Sequence, residues 1–278
     1  MVLLFHSGCE QVVELEWPDQ DPQLVINCLM EADSAIIAYA NRSQGIQDTG
    51  EVKPVTDALM ILRENGAIVD TMRHDSGGMY ISPRGVIAVA GRSYTIEGSV
   101  AGLPSSTGTF TLPLAPTILN IAYRDSAYFE FGSYYDELSF DIDDPAGVAD
   151  YYSFTGRAVG YEVIDTDTVL YEYDFYFVTS DPVLSSDLLS QGNMCEDQSF
   201  DGTHRRFRLK VGSDWHDVTP LMTISIAHCS ESYFRYSQTL SAYFDASFNP
   251  FAEPVRVYSN MTPGMGVIGG KTKVSFPF

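Results

Sequence analysis

The chain has 278 residues, enough for two ordinary domains or one large β domain, and its 45% hydrophobic content can build a full core, which excludes wholesale disorder. Its 37 acids outnumber 16 bases, and the formal charge of −21 repels nucleic acid and anionic lipid headgroups. Tyr (17), Phe (16) and Gly (22) are abundant, so the expected fold is all-β, with aromatic strands punctuated by turns.

The first nine residues form a short apolar run ending in Ser7-Gly8-Cys9. A bacterial lipobox ends in this way, because small side chains must flank the cleaved bond and a thiol must accept the diacylglyceryl group. His6 stands where an aliphatic residue is usual, no Lys or Arg precedes it, and the apolar run is short; a true start upstream would account for the missing charges and the short run. Residues 10–22 are acidic and include Pro18 and Pro22. Residues 1–22 are therefore expected to be a lipoprotein signal remnant and tether, lipidated at Cys9. The alternative is a hydrophobic first strand with an ordinary cysteine. No stretch approaches the ~20 apolar residues of a spanning helix, so attachment to a membrane would be by lipid alone.

Residues 23–113 read as an immunoglobulin-like or transthyretin-like β-sandwich of roughly seven short strands. Strands are expected at 24–29 and 35–42. Asn65-Gly66 between apolar runs at 57–64 and 67–71 predicts a β-hairpin, because both residues tolerate positive φ. Further strands are expected at 79–82, 92–100 and 107–112. Within 92–100, Tyr94, Ile96 and Val100 share one face, with Gly98 between. Pro113 and Pro116 mark a boundary.

Residues 114–278 read as a larger β-sandwich with one helix. Long strands are expected at 117–131, 134–142, 151–164 and 168–178. Asp141, Asp143 and Asp144 precede Pro145 and form a weak Ca²⁺ candidate. An Asp-Pro turn is the competing reading, since the run lacks the D-x-D-x-D-G pattern and its bidentate Glu. Residues 181–203 read as a long polar loop. In the strand at 204–211, His204, Arg206, Arg208 and Lys210 face one way, with Phe207, Leu209 and Val211 opposite. Arg206, Arg208 and Lys210, with the 181–203 loop, are the candidate contact surface for a partner or anionic ligand. The alternative is a solvated face balanced by nearby acids. A strand at 222–227 precedes a helix at about 230–245, with Ser230 as cap, Glu231 in its first turn, and Tyr233, Tyr236, Leu240 and Tyr243 on one face.

The tail is expected to close the second sandwich with paired strands at 255–258 and 265–268. Gly264-Met-Gly266-Val-Ile-Gly269 satisfies G-x-G-x-x-G, but no helix opens on it and no acid follows about 20 residues later, so a dinucleotide site fails. Its glycines suit tight turns and close strand packing. Cys195 and Cys229 could be a disulfide or two buried thiols.

The tail Phe251-Ala-Glu-Pro-Val-Arg-Val-Tyr-Ser-Asn-Met-Thr-Pro-Gly-Met-Gly-Val-Ile-Gly269 resembles the closing signature of a Bacteroidetes outer-membrane lipoprotein family of unknown function (domain of unknown function 4249). Asp57-Ala-Leu-Met-Ile-Leu, Gly78-Met-Tyr, Gly91-Arg-Ser-Tyr-Thr, Phe140-Asp-Ile-Asp-Asp-Pro and Asp150-Tyr-Tyr agree in order, so the likeness runs from about residue 24 to 269. The resemblance implies lipid anchoring to the outer membrane and a neighbouring TonB-dependent receptor, and it supplies no catalytic or binding residues.

The leading expectation is a non-catalytic cell-envelope lipoprotein, an accessory binding or scaffolding partner of a TonB-dependent outer-membrane transporter, with no cofactor and no nucleic acid. The alternatives are a surface adhesin or structural module, and a hydrolase whose triad assembles only in space. H-E-x-x-H, G-x-S-x-G and the P-loop are missing, and His6, His74, His204, His216 and His228 lack metal-ligand spacing.

Overall fold

The computed structural model describes residues 21–45, 48, 50–130, 132–164, 167–175, 177–212, 221–249 and 251–278. Cys9 and His6 therefore lie outside the described residues, as does His216. The first half supplies β1 (Leu24–Glu31), β2 (Ile37–Arg42), β3 (Lys53–Pro54), β4 (Leu59–Glu64), β5 (Ala67–His74), β6 (Met79–Ile81), β7 (Ser93–Ser99) and β8 (Ser106–Thr111). Burial alternates along β1 and β7 as the pleat requires, with Leu24, Ile26, Cys28 and Met30 inside from one strand and Tyr94 and Ile96 from the other. The hairpin at Asn65-Gly66 forms as expected, with φ of 49° and 82°.

The second half supplies β9 (Thr117–Glu130), β10 (Ser133–Asp143), β11 (Tyr151–Ile164), β12 (Asp167–Phe175), β13 (Phe177–Val178), β14 (Ser185–Asp187), β15 (Gly192–Glu196), β16 (His204–Gly212), β17 (Leu221–Cys229), α1 (Glu231–Ser247) and β18 (Met265–Pro277). The expected long loop at 181–203 thus carries two short strands, β14 and β15, which extend the sheet beside β11.

The fold is all-β apart from α1, and its layers are sandwich-like. One large sheet runs in the order β14-β15-β11-β17-β18-β1-β2-β6-β5-β4-β7-β8, with β12 added on β11 and β3 on β2; a second has the order β13-β16-β10-β9. At the β7–β8 end the large sheet curls over its own β1–β18 region. Side chains from both regions, including Leu62, Ile96 and Phe110 with Ile26 and Ile268, fill one core. The four-stranded sheet covers one face of β11 and β17, with Phe140, Phe207 and Leu209 meeting Phe154, Ile224 and Ile226. On the opposite face Tyr233 and Phe234 of α1 pack on Tyr151, Ala227 and Cys229.

The expected boundary at Pro113 and Pro116 falls between β8 and β9, and β18 hydrogen-bonds to strands from both sides of it. It runs parallel to β1, from Val25↔Met265 to Glu31↔Lys271, and antiparallel to β17, from Thr223↔Pro277 to Cys229↔Lys271. This seam needs Gly266, whose φ is 110° and whose added β-carbon would overlap the Ile26 carbonyl. The G-x-G pattern is therefore a device for bringing two backbones together.

Residues 255–258 do not form the expected strand. The Tyr258 N–H donates to Thr239 Oγ1 of the helix at 2.9 Å, so this segment is tied to α1 and not to a neighbouring strand. The Asn260 side-chain amide takes the strand's place against β18, donating to the Ile268 carbonyl at 2.7 Å and accepting from its N–H at 2.9 Å. The helix begins where expected, with Ser230 Oγ accepting from the Tyr233 N–H at 3.2 Å. Its buried face is Ser232, Tyr233, Phe234 and Ser237; Tyr243 is exposed, because the helix outruns the sheet beneath it.

Cys195 and Cys229 are separate thiols. They lie on β15 and β17, which flank β11 on either side, opposite Tyr152 and Tyr151 respectively. Two strand spacings of roughly 4.8 Å exceed the reach of a disulfide.

Candidate functional site

The basic stripe sits where its alternation places it, on the outer face of β16, with Phe207, Leu209 and Val211 buried beneath. The antiparallel register sets each outward residue of β16 against one of β10. Asp143 faces His204, Asp141 faces Arg206, Ser139 faces Arg208, and Glu137 faces Lys210. Three of the four basic side chains are thus set opposite an acid.

Two ion pairs, those of Arg206 and His204, follow this register, whereas Lys210 reaches past Glu137 to Glu130 of β9. Arg206 forms a two-pronged pair with Asp141, Nε to Oδ1 at 2.7 Å and Nη2 to Oδ2 at 3.2 Å. The Asn120 amide donates to the same carboxylate at 2.6 Å, and these bonds, Asn120's first, hold the Asp141 carboxyl below its ordinary value. His204 Nδ1 lies 3.2 Å from Asp143 Oδ1. Lys210 Nζ binds both oxygens of Glu130 at 2.6 and 2.7 Å and stands 5.1 Å from the centre of the Tyr128 ring. The Tyr128 hydroxyl donates to Glu137, which pushes its own ionisation up.

Arg208 is the exception. Opposite it stands a serine, its side chain is exposed, and its guanidinium has no ion pair or hydrogen bond among the described residues. A groove of about 570 Å³ opens beside it, lined by Arg206, Arg208, Lys210, Tyr128 and residues 178–181. One wall is fixed by Asp181, whose carboxylate holds Arg205 Nη2 at 2.7 and 2.9 Å. Arg205 itself is packed against the rings of Phe200 and Phe207, at 5.4 and 5.1 Å. The arrangement offers an anion one free planar fork of donors beside two partly neutralised cations. Tyr128 and residues 178–180 carry no signal in the sequence; they reach the groove only through the pairing of β9 with β10 and of β13 with β16.

The Ca²⁺ candidates do not converge as a set. Asp141 and Asp143 point outward along β10 to Arg206 and His204, while Asp144, past the strand end, turns inward. There it meets Asp150 and Asp197, two acids that sequence reasoning did not select, with ligand atoms within 4.8 Å of one another.

The histidine readings resolve in part. His228 lies beside the buried Asp150, Nε2 to Oδ1 at 2.9 Å, and its Nδ1 is 3.0 Å from the Leu114 carbonyl. With both ring nitrogens engaged, His228 has none to activate a hydroxyl. Cys28, Cys195 and Cys229 are fully buried, and burial pushes all three thiols up, Cys28 to about 12. Among the described residues no helix is long and apolar enough to cross a membrane.

No curated protein matches this chain. The family model described as Domain of unknown function (DUF4249) matches residues 10–276, and the chain belongs to that family.

Proposed function

We propose that this protein is a lipid-anchored envelope protein of the Bacteroidetes type that binds an anionic group in the groove beside β16 and serves as an accessory of a TonB-dependent outer-membrane transporter. The observation that carries the binding role is Arg208. On a chain of charge −21 an exposed guanidinium without a partner among the described residues, set in a groove, is the natural receptor for a carboxylate or phosphate. Contact with a larger partner is supported by the far end of α1, where Phe248 and Phe251 are 87% and 94% exposed, since aromatic side chains of this kind anchor protein interfaces. The address rests on Ser7-Gly8-Cys9 and on the family resemblance of the tail.

The test is capture from membranes of the native host. The acylated protein is expected to retain an outer-membrane receptor, and Arg208→Glu to lose most of it while folding normally. Equal recovery by Arg208→Glu removes the groove from the contact, and failure to recover any receptor defeats the accessory role. An unmodified Cys9 by intact mass removes the anchor.

A further inference from the structure

The inward turn of Asp144 brings together two loops that are remote in sequence. Residues 144–150 join β10 to β11, and residues 197–203 join β15 to β16. Their backbones are tied by Asp197 N–H to the Asp150 carbonyl at 3.0 Å and Asp144 N–H to the Thr203 carbonyl at 3.3 Å. Three carboxylates meet at this junction. Asp144, Asp150 and Asp197 are only 5%, 5% and 3% exposed.

Their hydrogen bonds do not account for them. Asp144 is well supplied, accepting from the Tyr152 hydroxyl at 2.6 Å and the Gly202 N–H at 2.9 Å. Asp150 Oδ1 has His228 Nε2, but Asp150 Oδ2 is fully enclosed with no partner. Asp197 Oδ2 is likewise enclosed and unpartnered. Among the described residues no Lys or Arg pairs with any of the three, and Asp201, a further acid acting on Asp150 and Asp197, is of the same sign. Buried polar atoms in native proteins are satisfied, and like charges a few ångströms apart in a dry site repel strongly. Burial, with the neighbouring acids adding to it, holds the Asp150 and Asp197 carboxyls above their ordinary range.

We propose that Asp144, Asp150 and Asp197 form a binding site for one hard divalent cation, of the Ca²⁺ class, that locks the two loops together. The two orphaned oxygens, Asp150 Oδ2 and Asp197 Oδ2, are its first ligands, and the second lone pairs of the Asp144 carboxylate supply a third. The donors are all oxygen. His228 is already committed to Asp150 and Leu114, and no thiolate is present, so the set favours Ca²⁺ or Mg²⁺ over softer metals. His228 orients the Asp150 carboxylate as a second layer around the ion, with Tyr152, stacked on its ring at 5.4 Å, doing the same for Asp144.

The test uses the full chain, stripped with EDTA and titrated with CaCl₂, MgCl₂, MnCl₂ or ZnCl₂ in physiological salt. One equivalent of Ca²⁺ per chain should remain after exhaustive dialysis. A hundredfold excess over Kd should raise Tm by roughly 5–10 °C. Asp197→Asn and Asp150→Asn should lose the stoichiometric ion and the shift, whereas Asp174→Asn, on the exposed β12, should keep both. Identical melting in EDTA and in all four chlorides, with no bound metal by elemental analysis, overturns the site. A shift that survives in Asp197→Asn also overturns it, since that is diffuse binding to an acidic surface. Tight Zn²⁺ or Mn²⁺ with no Ca²⁺ response overturns the assignment to a hard ion. Should the Asn variants fail to fold, the wild-type stoichiometry decides.

Discussion

Replacing Gly266 by Ala tests the seam on which both halves depend. The residue holds φ at 110°, a conformation costing a non-glycine residue about 1–3 kcal/mol. Its new methyl would also overlap the Ile26 carbonyl of β1, with the Ile26 nitrogen and carbonyl carbon close behind. Backbone cannot rotate aside as a flexible side chain does, so a further cost of about 1–3 kcal/mol is expected from overpacking. Together these give a loss of about 2–6 kcal/mol, read as a fall in the urea midpoint at unchanged slope and a Tm lower by roughly 4–24 °C. Gly102→Ala is the internal control. It has φ of 80° with open space where the methyl would go, so only the conformational part is lost. Equal losses for the two variants would refute the argument, because they would mean that β1 and β18 separate at no cost.

Four other outcomes are expected. Asn260→Ala should destabilise by about 2–3 kcal/mol by denaturant melting, since the amide of the fully buried Ile268 loses its acceptor. Arg208→Ala should leave stability within about 0.5 kcal/mol, whereas Arg205→Ala, removing a half-buried pair with Asp181 and contacts to two rings, should cost about 1–3 kcal/mol. At Asp70, burial raises the carboxyl, but bonds from the Ser82 hydroxyl and the Arg84 and Thr71 N–H groups outweigh it and hold it below the ordinary 3.8. That folded-state depression contributes stability above the unfolded value and loses it as pH falls. Wild type should therefore exceed Asp70→Asn in stability near neutrality, and the gap should narrow below pH 3.8. The three buried cysteines should resist a thiol reagent in the native protein and react in guanidinium, with no mass change on reduction.

What could be read from the sequence was local. Asn65-Gly66 announces its hairpin because positive φ is a property of two residues. Ser230 announces the helix because a cap acts within one turn, and 204–211 reveals its faces because the pleat alternates. Pairing was not legible. Residues 255–258 have a strand's composition, yet Thr239 and the position of α1 decide where Tyr258 turns its N–H. The importance of Arg208 over Arg206 depends on which β10 residue stands opposite, a serine or an aspartate, and only register tells. Asp144 could be marked as a possible ligand from its own run of acids, but Asp150 and Asp197 meet it through two loops that join four different strands.

Because β1 and β18 are the first and last strands among the described residues, the partners Asn27 and Val267 stand 240 positions apart. A ribosome must deliver β18 before either hydrophobic interior can be sealed, one by Ile268 and the other by Val274 and Phe276. Such remote closure makes folding slow and leaves the nascent chain open until β18 emerges. Deleting β18 should therefore dissolve the N-terminal strands as surely as their neighbours.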